Sequence, residues 1–186
     1  MSGAGMRLEG AGAAIARFTA IAAGLDHAEP MYADIGASLV TSTQNRFERG
    51  VDPDGNPWPP SLRAIATGGK TLIDRGRLMQ SQSFNAWATG VEVGTNVVYA
   101  AAHQLGATID MPGRMGEVHF KRGKRGKRLK GFRKASKANE HMLVAIGPRQ
   151  TKVPARPFLG IDSDDAREII SIGEAYVARL AGGAAS

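Results

Sequence analysis

The sequence predicts an α+β protein, with an antiparallel-rich sheet flanked by N-terminal helices and a C-terminal helix, and with a long basic hairpin or loop insert. Three observations predict this class. Apolar residues recur at helical spacing near both ends of the chain. Short alternating runs in the middle are bounded by glycine and proline. A stretch dense in lysine and arginine separates two apolar strand ends.

In the first part of the chain Leu8, Ile15, Phe18, Ala22 and Leu25 mark an amphipathic helix that fades near Gly24. Pro30 opens a second helix, where its missing N–H costs little. Met31, Ile35, Leu39 and Phe47 give that helix its apolar face, and Gly50 ends it. The stretch Phe47 to Pro60, FERGVDPDGNPWPP, then admits neither a helix interior nor a central strand, because glycines and prolines interrupt it throughout. Asp52 to Asn56 carry turn chemistry. Trp58, set between prolines, is read as the peg that pins the turn to the core. The DxDGN order resembles the start of an EF-hand loop, but the twelfth position holds Arg63 where a bidentate Glu is needed, so an ordered turn is the reading adopted.

Ser61 to Gly69 reads as a loop or short helical turn, and Lys70 to Asp74 as helix or strand. Ser81 to Thr89 and Val91 to Thr95 alternate on either side of Thr89-Gly90, which predicts a β-hairpin. Asn96 is placed as the cap of a short helix containing Tyr99, Ala100, His103 and Gln104, stopped by Gly106. Ala107 to Met111 returns as a strand. Val118 to Phe120 and Met142 to Ile146 are the apolar ends of two more strands. Val153 to Gly160 is too punctuated by proline for a central strand, leaving a proline-rich arm over Val153 to Phe158 with few local partners. Asp162 or Ser163 caps the last helix, whose buried side is Ile169, Ile172, Tyr176 and Leu180 with Ile170 and Val177 beside them. The organisation expected is a single domain over 1–186. It comprises a flexible N-terminus at 1–7, a helical part at 8–50, an α+β core from 51–110 and 141–181, a basic insert at 111–140 and a flexible tail at 182–186.

With 186 residues and no cysteine, the chain excludes disulfides, thiolate metal sites and cysteine nucleophiles. No apolar run reaches membrane-span length, and the first residues lack the order of a signal peptide, so a protein made and kept in a cytoplasm is expected. The net charge is +7, and it is concentrated: residues 111–140 hold eleven basic side chains against Glu117 and Glu140. The rest of the chain is nearly neutral. The centre of that segment, KRGKRGKRLKGFRK, cannot pack a core and is expected to be mobile when free. Three readings of it stay open: a solvated loop, a nucleic-acid contact, or a surface for an acidic protein partner. The cations concerned are Lys121, Arg122, Lys124, Arg125, Lys127, Arg128, Lys130, Arg133 and Lys134.

Catalytic signatures are absent from the sequence. His27, His103, His119 and His141 are far apart and outside any HExxH spacing, there is no GxSxG elbow, and GGKT at Gly68 to Thr71 lacks the leading glycine of a Walker A loop. No paired carboxylates stand out. His103 beside Gln104 is either a catalytic or a backbone-bonded structural histidine. The expectation is a protein that is not an enzyme and uses no cofactor or metal.

Four blocks, RFERGVDPDGNPWPP, the Lys70 to Leu78 block ending GRL, VVYAAAHQLG and VPARPFLGID, together resemble the phage virion morphogenesis family. That family includes the tail completion and head-tail joining proteins of Mu-like contractile-tailed phages. The resemblance runs from about Ile35 to about Leu180, with segment 111–140 its least family-like part. It implies a structural virion protein, a tail terminator or neck component acting at the head-proximal end of the tail. Related tail-end proteins form rings, commonly hexamers, around the DNA channel. The implied partners are further copies of the chain, the tail tube, neck or connector proteins, and DNA in the channel; no membrane is implied. Trp58 and Phe158 are singled out as apolar anchors, Arg156 as a bidentate clamp on a carboxylate or carbonyl, and Tyr99 with His103 as structural pins. The reading from a different class is a basic nucleic-acid-binding protein acting through 111–140, and a third is a hydrolase using His103.

Overall fold

The computed structural model describes residues 11–123, 127–128, 130–131 and 134–183. The expected flexible N-terminus at 1–7, the helix start at Leu8, and Lys124, Arg125, Phe132 and Arg133 lie outside the described residues. The fold is α+β, and the chain forms two compact units: residues up to Leu105 with those from Ala155 onward, and Gly106–Pro154.

The first unit holds α1 (Ala11–Leu25), α2 (Glu29–Arg49), α3 (Leu62–Thr67), α4 (Arg77–Gln80), β1 (Gln82–Trp87), β2 (Gly90–Thr95), α5 (Ala100–Leu105) and α6 (Ser163–Gly183). Helix α2 is its spine. Pro30 sits in its first turn, Arg46 and Arg49 complement the dipole in its last, and Gly50 closes it in the left-handed region at φ 72° with its N–H on the Arg46 carbonyl. One face of α2 packs on β1 and β2, another on α6. Gly36 permits the close approach of β1, since a Cβ there would lie 2.6 Å from the Phe84 ring. Helix α6 also holds α1. The Tyr176 hydroxyl lies 3.0 Å from the carbonyls of both Gly24 and His27 and donates its one proton to either.

The core lies where α2, the turn after it and the segment before α6 converge. Phe47 and Phe158 are wholly inaccessible, with Trp58, Leu78, Val97 and Ala100 around them. The Phe47 ring meets Trp58 edge-on at 5.4 Å and Phe158 at 5.1 Å, geometries that suit the ring quadrupoles.

The second unit contains β3 (Ala107–Met111), β4 (Arg114–Phe120), β5 (Glu140–Ile146), β6 (Arg149–Val153) and a 3₁₀ turn at Ala135–Lys137. Strand β3 pairs antiparallel with β6, from Ala107 opposite Val153 to Met111 opposite Arg149. Strand β4 pairs antiparallel with β5, from Arg114 opposite Ile146 to Phe120 opposite Glu140. This register puts Val118, Met142, Val144 and Ile146 on one face and the His119–His141 pair on the other.

Several elements differ from the sequence reading. The described strands form three two-stranded ladders rather than one sheet. The first hairpin turns at Ala88-Thr89, because Trp87 pairs with Gly90, one residue earlier than the glycine suggested. Lys70 to Asp74 is neither helix nor strand; Leu72 stands at φ 62° in an irregular turn. Helix α5 starts at Ala100, so Tyr99 precedes it and Asn96 is too distant to cap it. Strand β4 begins inside the segment read as an insert, and β6 was hidden by its polar sequence RQTKV. Ile170 and Val177 are exposed, as are Ile15, Phe18 and Leu25 on the apolar stripe of α1. Helix α6 continues through Gly182 and Gly183, where a flexible tail was expected; 184–186 lie outside the described residues. Among the described residues, no helix is long and apolar enough to cross a membrane.

Phe47→Ala is expected to destabilise the chain by about 3–5 kcal/mol, as large-to-small changes in a closed ring cluster do. The urea midpoint reports this; a loss below about 1 kcal/mol would show that the stability lies elsewhere.

Candidate functional site

The segment from Arg156 to Asp162 runs past the end of α2 without regular structure, so its backbone groups need other partners. Side chains supply them. Gln104, on α5, accepts through Oε1 from the N–H of Phe158 at 3.0 Å and of Leu159 at 3.1 Å, and its Nε2 donates to the Leu159 carbonyl at 3.0 Å. Trp58 Nε1 donates to the Pro157 carbonyl at 2.8 Å. The Arg156 N–H donates to the His103 carbonyl at 2.6 Å, and Arg156 Nε to the Pro59 carbonyl at 2.7 Å.

Arg46 carries the other end. Its side chain is buried, and Nη1 donates to the carbonyls of Phe158 at 3.3 Å and Gly160 at 2.9 Å. Its Nη2 reaches Asp162 Oδ2 at 3.0 Å and pairs with the buried Asp165 carboxylate. The same two aspartates begin α6: Asp162 Oδ1 caps the N–H groups of Asp164 and Asp165 at 2.8 Å, and Asp165 Oδ2 accepts from the Asp162 N–H at 3.0 Å. This is a reciprocal capping box built from two acids. Burial pushes the Asp162 carboxyl up, but the Asp165 N–H, the Arg46 guanidinium and the Asp164 N–H together hold it below its ordinary value.

The turn before Trp58 docks on the same segment. Asp52 accepts from the Gly55 N–H through its carbonyl at 3.0 Å and from the Asn56 N–H through Oδ1 at 2.8 Å, with Gly55 at φ 84°. Pro53 then covers Gly160, where a Cβ would lie 2.5 Å from its ring. Both carboxylate oxygens of Asp52 are engaged with Asn56, as an ordered turn requires.

The residues singled out in the sequence therefore fall into separate environments. Trp58, Arg156 and Phe158 are buried together around this segment. Tyr99 is exposed and edge-on to His103 at 5.9 Å. Burial, and next the charge of Arg156, push the His103 imidazole below its ordinary value, and its buried Nδ1 has no hydrogen-bond partner among the described residues. Two expectations need correction. The proline-rich arm was read as poor in local partners, whereas from Arg156 onward it is bonded throughout by its own chain. Arg156 was read as a bidentate clamp, yet the contact described is a single bond from Nε to a carbonyl. Sequence reasoning missed Arg46, Gln104 and Asp165. The signal for Arg46 was present, because it neighbours Phe47 on the face defined by Ile35 and Thr43, so a charge there demands an acidic partner.

The basic segment is a separate feature, in the second unit. Glu140 accepts from Nε and Nη2 of Arg122, both at 2.9 Å, and from Nε and Nη2 of Arg128 at 3.2 and 2.7 Å. These hydrogen bonds, first from Arg122 and then from Arg128, lower the Glu140 carboxyl to about 2.

Buried side chains here spend their polar groups on one another and on backbone, which is how a structural protein fixes the shape of a surface. The chain belongs to the phage virion morphogenesis family, whose profile matches residues 13–178. Among curated proteins it is similar to the "Putative capsid assembly protein G" of Escherichia phage Mu, 27% identical over 144 residues that cover 73% of this chain and 70% of the relative. No solved structure matches the chain.

Arg46→Met would strand the buried Asp165 carboxylate, so a loss of about 3–5 kcal/mol is expected by chemical denaturation. A near-neutral result would mean that Asp165 finds other donors. For His103 the folded pKa is depressed, so the unfolded chain takes up the proton first and stability falls as pH drops through the ordinary histidine value of about 6.5. His103→Leu is expected to flatten that fall between neutral and mildly acidic pH. An unchanged profile would remove His103 as its cause.

Proposed function

We propose that this protein is a structural component of the phage head-tail junction: a tail completion or terminator protein that forms a ring at the head-proximal end of the tail. It works by geometry rather than catalysis, capping the finished tube, stopping its growth and offering a seat to the filled head. The observation that carries this reading is the family match over residues 13–178. The name of the Mu relative refers to capsid assembly, and a junction protein is one whose loss would leave heads unjoined.

The surface of the first unit supports an assembly role. Val98 is 97% exposed, Leu62 85%, Leu105 78% and Phe18 73%, with Ile65, Ile161 and Ile170 also open. Single exposed apolar residues are ordinary, but so many on one small unit fit a chain whose surface is covered in an oligomer.

Electron microscopy of lysates from a phage lacking the gene tests the proposal. Filled heads and separate, unjoined tails are expected, many of the tails abnormally long, with joining restored by the gene in trans. Normal tails accompanied by missing or misshapen heads would overturn it in favour of a role in building the capsid.

A further inference from the structure

The described cations between β4 and β5 divide into two groups by what they touch. Arg122 and Arg128 are both engaged by Glu140, and the Arg128 guanidinium also lies 4.2 Å over the Phe120 ring. Asn139 completes the brace. Its Oδ1 accepts from the Arg122 N–H at 2.7 Å, its Nδ2 donates to the Arg122 carbonyl at 3.2 Å, and its own N–H donates to the Phe120 carbonyl at 3.1 Å. The Gly123 N–H donates to the Lys127 carbonyl at 3.0 Å, so the segment leaving β4 doubles back beside β5.

The lysines are placed differently. Lys121, Lys127, Lys130, Lys134 and Lys137 are exposed and form no ion pair among the described residues. Glu140, the one acid in the sequence from Lys121 to Glu140, already serves two arginines. Holding like charges together at the end of a narrow ribbon costs electrostatic energy that a polyanion relieves.

We propose that this end of the β4–β5 hairpin binds the phosphate backbone of duplex DNA, with these five lysines as the contacts and the Arg122–Glu140–Arg128 brace presenting them. Two features favour DNA over an acidic protein. Protein interfaces of useful strength centre on clusters of aromatic and aliphatic anchors, whereas the sequence from Lys121 to Asn139 holds ten lysines and arginines and, beside two alanines, only Leu129 and Phe132 as apolar side chains. A phosphate array needs cations alone, and a two-stranded β-ribbon fits the width of a major groove. The binding is to backbone and is independent of base sequence. It rests on the second unit alone and stands whether or not the tail-end assignment holds.

Fluorescence anisotropy of a labelled, mixed-sequence short duplex, titrated with the full chain across a salt series, tests it. Binding is expected to weaken steeply with salt. Replacing all five lysines by glutamine should reduce the slope of log Kd against log salt by up to about 4.5, close to 0.9 for each phosphate that a lysine no longer neutralises. Circular dichroism should not change, because those side chains are exposed. Lys152→Gln, an exposed lysine on β6, should leave the slope as it was. No binding at low salt, a slope unaltered in the five-lysine variant, or an equal loss per charge from Lys152→Gln would each overturn the proposal. Tighter binding to polyglutamate than to the duplex would overturn it in favour of an acidic protein surface.

Discussion

A charged guanidinium with 2% of its surface exposed constrains everything near it. Arg46 carries a cation and its N–H donors into the interior, so a cage of acceptors has to close around it. That cage is drawn from the Phe158 and Gly160 carbonyls and from Asp162 and Asp165, all more than a hundred residues away in sequence. A buried ion pair of this kind adds little net stability over well-packed apolar side chains. Its effect is geometric: the planar fork reaches carbonyls with one nitrogen and carboxylates with the other, and so sets the segment before α6 and the start of α6 against the end of α2.

The remaining parts follow from that placement. With Phe158 carried into the core, Phe47 and Trp58 have a third ring to pack on, and the Trp58 indole N–H finds the Pro157 carbonyl. Gln104 satisfies the strand-like edge of the same segment with its amide, which puts α5 in position. The turn from Asp52 to Asn56 then closes over Gly160 through Pro53. The result is a rigid block made largely of irregular chain, held by side-chain bonds instead of a ladder.

Much of this was legible because local chemistry dictated it. Pro30 and Gly50 bounded α2, the acids after Gly160 opened α6, and the proline run from Pro57 forced a turn that only a docked Trp58 makes useful. Pairing partners were harder to read. Alternation in Phe84 to Trp87 shows a strand, yet nothing local says that the described strands stop at two-stranded ladders, and RQTKV carries no apolar stripe to reveal β6. The arm illustrates the opposite failure: counting prolines suggested a segment with few local partners, because the bonds to its backbone come from Arg46, Trp58 and Gln104, which are remote in sequence. The apolar stripe of α1 was recognised as a stripe, but periodicity does not say whether the surface that covers it belongs to the same chain.

That last question bears on function most directly, since a tail-end protein of this family is proposed to work as a closed assembly. Native mass spectrometry of the full chain without DNA, at low and then at high salt, addresses it. A single closed oligomer that survives high salt is the predicted result, because exposed apolar side chains would hold it and the lysines of the hairpin would not. A monomer at every protein concentration and salt would contradict the account.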